Sequence, residues 1–279
     1  MRTEIAITRR SFPILLAAAL AAAPTALADF TEEEVFETTA TLDSGGRVEI
    51  EAKNGSIRVE TGAGSEVRVT ARKKARADSA ARARELLQET EVRVDERGGT
   101  VKIDAEVPRS GWMSDESVTV SYELVIPADA ELEAKTANGS IEAREIGGRA
   151  WLTTNNGSIK ARGVGGPLEA ESNNGSIHAR DVRGSVRAET NNGSIEAEII
   201  SPGLDDGVRL KTNNGSVELT LSAGVAASID ARTRNGKVTS DFPGGTQDER
   251  KRTLKLELAG GGPRVELEST NGSIRLRER

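Results

Sequence analysis

Glu171 and Glu189 each stand three residues before an Asn-Gly pair, 18 residues apart. A glycosidase needs two carboxyl groups, one to give a proton and one to attack or to activate water. Retaining enzymes hold them about 5 Å apart. Trp151 and Glu169 stand five residues before their own Asn-Gly, and Arg187 occupies that place in the next unit. An outward indole can stack on a sugar ring. Trp151, Glu169, Glu171, Arg187 and Glu189 therefore form a candidate glycan-binding patch. Its carboxylates would give an alternative reading, a carbohydrate-active β-helix enzyme. A solvated strand face of mixed charge explains the same residues, and the sequence gathers no dense cluster of acids and rings anywhere.

Other chemistry is poorly supplied. His178 is the single histidine and the chain has no cysteine, so serine and cysteine triads lack parts. His178 also sits in a variable position, four residues after its Asn, shared with Arg58, Glu142, Lys160, Glu196, Glu218, Thr239 and Arg275. Asp205-Asp206-Gly207 offers two carboxylates where calcium takes six to eight oxygens. Gly163-Val164-Gly165-Gly166 lacks the helix and lysine of a phosphate loop. No catalytic residue, cofactor or metal site is expected.

What positions these side chains is a repeat. Asn-Gly occurs at Asn54, Asn138, Asn156, Asn174, Asn192, Asn214, Asn235 and Asn271, and the gaps from Asn138 are 18, 18, 18, 22, 21 and 36 residues. A period near 20 marks stacked units, and the last gap is twice 18. Aligned on Asn, the units carry Thr or Ser two residues before it (Thr136, Thr154, Ser172) and Ala or Leu four before. Ile or Val follows three after it (Ile141, Ile159, Val217). Polar residues fill the gaps. This period-two alternation predicts two short strands per unit, each with one buried face. The phase breaks at Asn-Gly and near Gly147-Gly148, Gly165-Gly166 and Gly184. These are corners, where Asn and Gly supply positive φ.

The pattern predicts an all-β fold, a single-stranded β-helix or β-solenoid with 18–22-residue coils and one short N-terminal helix. An antiparallel meander with Asn-Gly hairpins is the alternative. The solenoid is preferred because each coil buries its own apolar face, whereas one sheet would need a partner layer. Stacking also sets Asn138, Asn156, Asn174, Asn192, Asn214, Asn235 and Asn271 in a corner ladder of side-chain amides, about 4.8 Å apart. That ladder argues against reading the Asn-Gly-Ser sites as glycan acceptors. Aromatics make up 3% of the chain, which suits a core too thin for rings.

Three parts organise the sequence: a leader over 1–28, an irregular β region over 29–130, and solenoid repeats over 131–279, continuous with the part before. Residues 78–89 are Ala/Arg/Leu-rich and predict a helix capped by Asp78 or Ser79, covering an end of the stack. Strands are expected at 91–95, 100–106 and 118–126. The basic run Arg68, Arg72, Lys73, Lys74, Arg76, Arg82 and Arg84 reads as a solvated face, with attraction to anionic envelope polymers as its functional alternative. Trp112-Met113 lies in a polar loop.

The leader has Arg9-Arg10, an apolar run from Ile14, and Ala26-Leu27-Ala28 as a cleavage site. Arg9-Arg10 also fits a twin-arginine export signal. Removing it shifts the formal charge from −6 to about −8, against nucleic-acid binding. No later stretch is long enough to span a membrane. The mature chain is expected to be periplasmic or extracellular. The charged end Arg275-Leu276-Arg277-Glu278-Arg279 is read as blocking an open strand edge, which favours a monomer.

Several stretches in order carry a resemblance. Val67-Arg68-Val69-Thr70-Ala71 precedes the Ala-rich helix, Val120-Ser121-Tyr122-Glu123-Leu124-Val125-Ile126-Pro127 precedes the repeats, and Thr-x-Asn-Gly-Ser-Ile recurs. From about Gly46 to Arg277 the chain resembles a bacterial β-strand-repeat family of unknown function, often labelled as candidate adhesins. The resemblance implies a right-handed β-helix without the catalytic residues of pectate-lyase-type solenoids. It also implies an envelope or surface role, with an envelope polysaccharide or surface protein as partner.

Overall fold

The computed structural model describes residues 30–108, 116–200, 207–248 and 250–279. The leader, Trp112-Met113 and Asp205-Asp206 fall outside them.

Each Asn-Gly joins a strand in one sheet to a strand in the other. Strands that end on the repeat Asn, such as Leu168–Asn174, pair in parallel on what we call the Asn wall, in register with Asn beside Asn. Strands that begin at Ile or Val, such as Ile177–Val182, pair in parallel on the Ile wall. The Asn wall belongs to a 12-stranded sheet and the Ile wall to an 11-stranded sheet. Parallel neighbours exclude the hairpin meander, and the fold is a β-solenoid.

The core is the space between the walls. Ile141, Ile159, Ile177 and Ile195 are at most 1% exposed, and Ala143, Ala170, Ala179 and Ala188 are fully buried. Each buried Ile contributes roughly 1.5–3 kcal/mol. Tyr122 and Phe242 are the rings in the buried core among the described residues. Thr136, Thr154, Ser172, Thr190, Thr212, Thr233 and Ser269 face inward, and each hydroxyl donates to the corner glycine carbonyl of the adjacent coil. Those bonds satisfy acceptors that parallel pairing leaves open at the bend.

The corner glycines serve a different purpose from the one expected. Among the Asn-Gly glycines only Gly55 and Gly215 have positive φ, and no repeat Asn does. What glycine provides is close approach. A methyl group on Gly157 would lie 2.0 Å from the Gly139 carbonyl oxygen, and one on Gly175 would lie 2.0 Å from that of Gly157. The left-handed residues sit at the second corner, at Glu145 (φ 56°), Gly163 (φ 70°) and Asp181 (φ 54°), just before the glycines read from sequence.

Stack order departs from chain order at both ends. The coil of Thr100–Glu106 and Ser117–Pro127 lies outside the Asn54 coil, which is thereby enclosed between it and the Asn138 coil. At the other end, the Asn271 coil sits between the Asn214 and Asn235 coils. The doubled spacing before Asn271 reflects this return. The tail is therefore enclosed as far as Leu276, and among the described residues only Arg277 and Glu278 of its strand are paired on the inner side alone. Antiparallel strands do the capping: Thr253–Leu258 and Thr246–Gln247 at one end of the Asn wall. At the opposite end Glu91–Arg97 caps the Asn wall, and Glu66–Ala77 with Phe30–Thr41 caps the Ile wall.

Helix α1 (Ala80–Glu89) is capped by Ser79, whose hydroxyl accepts from the Arg82 N–H. It buries Ala83, Leu86 and Leu87 against Phe30–Thr41 and Glu66–Ala77. Lys73 lies in the buried alternation of that second strand. Its ammonium donates to the Leu87 and Thr90 carbonyls at the helix end and pairs with Glu34 at 3.2 Å.

Candidate binding surface

The patch read from sequence assembles on the outer face of the Asn wall. Trp151, Glu169, Arg187 and Arg209 are in-register neighbours, and Thr153, Glu171, Glu189 and Lys211 form the adjacent row. Period two puts both rows outward, and the 18-residue repeat aligns them.

Their chemistry is largely committed to each other. The Arg47 guanidinium lies 4.7 Å from the Trp151 ring centroid, and that of Arg149 lies at 5.1 Å. A cation within about 6 Å of an indole holds it by cation–π attraction. The ring therefore has competitors for its stacking face. Glu189 pairs with Arg187 at 2.9 Å and Arg209 at 3.4 Å, and Arg209 continues to Glu266 at 2.6 Å. A carboxylate engaged by two guanidiniums does not have its oxygens free to attack a sugar carbon. The wall interlaces opposite charges along the stack.

Between the Glu171 row and the corner runs a shallow groove of about 270 Å³, lined by Thr153, Glu171, Glu189, Lys211 and four asparagines. These asparagines are a second amide ladder that the sequence reading missed. Asn173 donates to Asn155 at 3.2 Å, Asn191 to Asn173 at 3.0 Å, and Asn213 to Asn191 at 2.8 Å. The doubled Asn-Asn-Gly in those four units was the available signal. Beside it runs the expected corner ladder, with bonds of 2.8–2.9 Å linking Asn54, Asn138, Asn156, Asn174, Asn192, Asn214, Asn271 and Asn235 in that order.

The Ile wall carries a broader groove of about 720 Å³, where His178 meets Glu196 at 3.2 Å. Burial pushes the Glu196 carboxyl up, but bonds from Arg180, at 2.9 Å, and His178 outweigh it and hold it below the usual carboxylate range. Hydrogen bonds from Arg144 and Arg58 do the same for Glu142. A general acid needs the opposite shift.

The basic run does not form one cationic face. Arg72 pairs with Glu123, Lys74 with Glu33, and Arg84 with Glu32, while Arg82 pairs with Glu85, Glu89 and Glu116. Among the described residues no group of three acidic or imidazole side chains is arranged to hold a metal. No described helix is long and apolar enough to cross a membrane.

The profile of the family described as Toastrack DUF4097 matches residues 131–277. That is narrower than the 46–277 stretch of resemblance, and it covers the repeats. No curated protein matches significantly. Among solved structures, a candidate cell adhesion protein from Clostridium sporogenes is 12% identical, with 88% of this chain and 100% of that chain covered at a TM-score of 0.38. A candidate adhesin from Bacteroides fragilis is 11% identical, covering 88% and 97% at 0.36. A candidate lipid binding protein from Parabacteroides distasonis is 12% identical, covering 87% and 96% at 0.32. Identities this low transfer no function.

Proposed function

The chain belongs to the toastrack DUF4097 family, and from that premise we propose that it is a non-enzymatic, exported protein of the cell envelope. Its ligand is an envelope polysaccharide lying along the Asn wall. The observation that carries this reading is the groove beside the Asn155–Asn173–Asn191–Asn213 ladder. It offers Thr153 hydroxyl, amide, carboxylate and ammonium groups at a fixed spacing along the stack axis. A long hydroxyl-bearing polymer can repeat its hydrogen bonds at each coil, so weak contacts add through multivalency. The pairing of Glu189 with Arg187 and Arg209 supports binding over hydrolysis.

Retention on immobilised envelope polysaccharide tests the reading, comparing the wild type with Glu171→Ala and Trp151→Ala. The groove variant loses retention, whereas the Trp151 variant keeps it because that ring already faces Arg47 and Arg149. Equal retention by both, at the wild-type level, would exclude the groove. Release of reducing ends by the wild type, abolished in Glu171→Gln, would favour the hydrolase.

A further inference from the structure

The Asn271 coil occupies a slot. Arg264–Asn271 pairs in parallel with Val208–Asn214 on one side and Ala227–Asn235 on the other. Ile274–Glu278 does the same between Val217–Leu221 and Val238–Ser240. Among the described residues, neither strand of the Asn235 coil pairs directly with the Asn214 coil; the inserted segment makes every strand pairing between them. The slot is shaped for a repeat coil. A methyl group on Gly272 would lie 1.9 Å from the Gly215 carbonyl oxygen, and one on Gly236 would lie 2.1 Å from that of Gly272. Asn271 donates to Asn214 and accepts from Asn235, both at 2.8 Å. Ser269 reaches the Gly215 carbonyl, and Thr233 reaches that of Gly272. An occupant must bring a small corner residue, an Asn before it, and inward Val, Leu, Ser and Ile at strand spacing. Residues 265–276 of this chain are such a segment.

The connection into the slot is short. Thr253–Leu258 lies outside Ala227–Asn235 and Arg264–Asn271 lies inside it, so residues 259–263 must climb over the start of the strand between. They do so as Ala-Gly-Gly-Gly-Pro. Ala259, Gly260 and Gly261 have positive φ of 49°, 86° and 88°. Gly262 passes so close that a methyl group on it would lie 2.7 Å from the Ala226 carbonyl oxygen.

We infer that residues 264–278 are an exchangeable element, and that the slot takes the same segment from a second copy of this chain in a reciprocal two-fold dimer. Every strand pairing made in the monomer is remade in the exchanged dimer, and only the linker differs. Exchange of an identical element is a low-cost route to a dimer, and a short, strained connection favours it.

The linker is the control. Two strand spacings, about 9.5 Å, separate the strands it joins. Deleting Gly260, Gly261 and Gly262 leaves two residues, whose three Cα–Cα steps reach about 10–11 Å with no slack to climb. Insertion within one chain then lacks the length to climb over Ala227–Asn235, whereas insertion into a partner whose slot opens within that reach of Leu258 needs no climb. The protein has no cysteine, so full-length Lys211→Cys and Glu268→Cys chains can be mixed in denaturant, refolded and treated with a short bismaleimide. Lys211 and Glu268 are in-register neighbours, and in the mixture only exchange brings the two thiols together at this register. The expected result is a dimer mass with a 211–268 crosslink for the shortened linker. With the native linker, the crosslinked fraction rises with protein concentration during refolding. A folded monomer from the shortened chain, or a dimer without that crosslink, would overturn the inference. If the shortened chain does not fold, absence of the crosslink from the native-linker mixture at every concentration overturns it as well.

Discussion

Asn174 shows what one residue does at a corner. It donates to Asn156 and accepts from Asn192, each at 2.8 Å. A neutral hydrogen bond contributes a net ~0.5–1.5 kcal/mol, so Asn174→Ala, which removes two, should cost about 1–3 kcal/mol in urea unfolding. Asn54→Ala, with one corner-ladder bond, should cost about half that. Gly157 tolerates less. A methyl group 2.0 Å from a backbone oxygen of the next coil forces the coils apart, and Gly157→Ala should destabilise by more than the ~1–3 kcal/mol of ordinary overpacking. The two substitutions separate the ladder from the close approach, which the Asn-Gly motif combines.

At the scale of elements, Lys73 ties α1 to the sheet it covers. Its ammonium serves two carbonyls at the helix end, where a cation also meets the favourable dipole. Lys73→Ala leaves those buried acceptors unserved, at about 1–3 kcal/mol. Hydrogen exchange should then accelerate first in residues 80–89. The loops at the end of the stack respond to pH. The Ser44 hydroxyl and the Gly45 N–H hold the Asp129 carboxyl below its ordinary value, at 2.5 and 2.9 Å. Glu142, Glu196 and Asp248 are depressed likewise. A depressed folded pKa gives stability that is present above the unfolded value, near 4, and lost as pH falls through the folded value. Chemical denaturation should therefore show stability flat near neutrality and falling below about pH 4. Asp129→Asn should flatten part of that fall without changing the neutral plateau's slope.

Across the whole molecule, the stack is closed by return rather than by a final repeat. Removing residues 264–279 would take out an interior coil, together with the pairings that join 227–258 to the body. Ordinary linear repeats lose one interface when a terminal unit is deleted. Here limited proteolysis of the truncated chain should cut throughout 227–258 while leaving the coils at Asn138 to Asn192 protected. Cleavage confined to the new terminus would contradict the enclosed position of the Asn271 coil.

Local chemistry and period were enough to prefer the solenoid over the hairpin meander, and to place two strands per coil, the inward Thr/Ser column and the corner amides, because each depends on residue type at a fixed spacing; the parallel pairing decided between the two folds. Helix α1 was legible for the same reason: its Ala/Arg/Leu run is contiguous, and of the two expected caps, Asp78 and Ser79, it is Ser79 that serves. The outward rows of Trp151 and Glu171 were also correctly aligned. What became of them was not legible, since Arg47 approaches Trp151 from more than a hundred positions away and Arg209 reaches Glu189 across an irregular 22-residue gap. The reason for glycine at the corners was likewise hidden, because close approach belongs to two coils and φ to one. Stack order was decided only in three dimensions. The units are nearly interchangeable by pattern, so a periodic sequence specifies that coils stack but not which lies beside which. That choice rests on the linkers, above all the Ala-Gly-Gly-Gly-Pro crossing that carries the Asn271 coil inward.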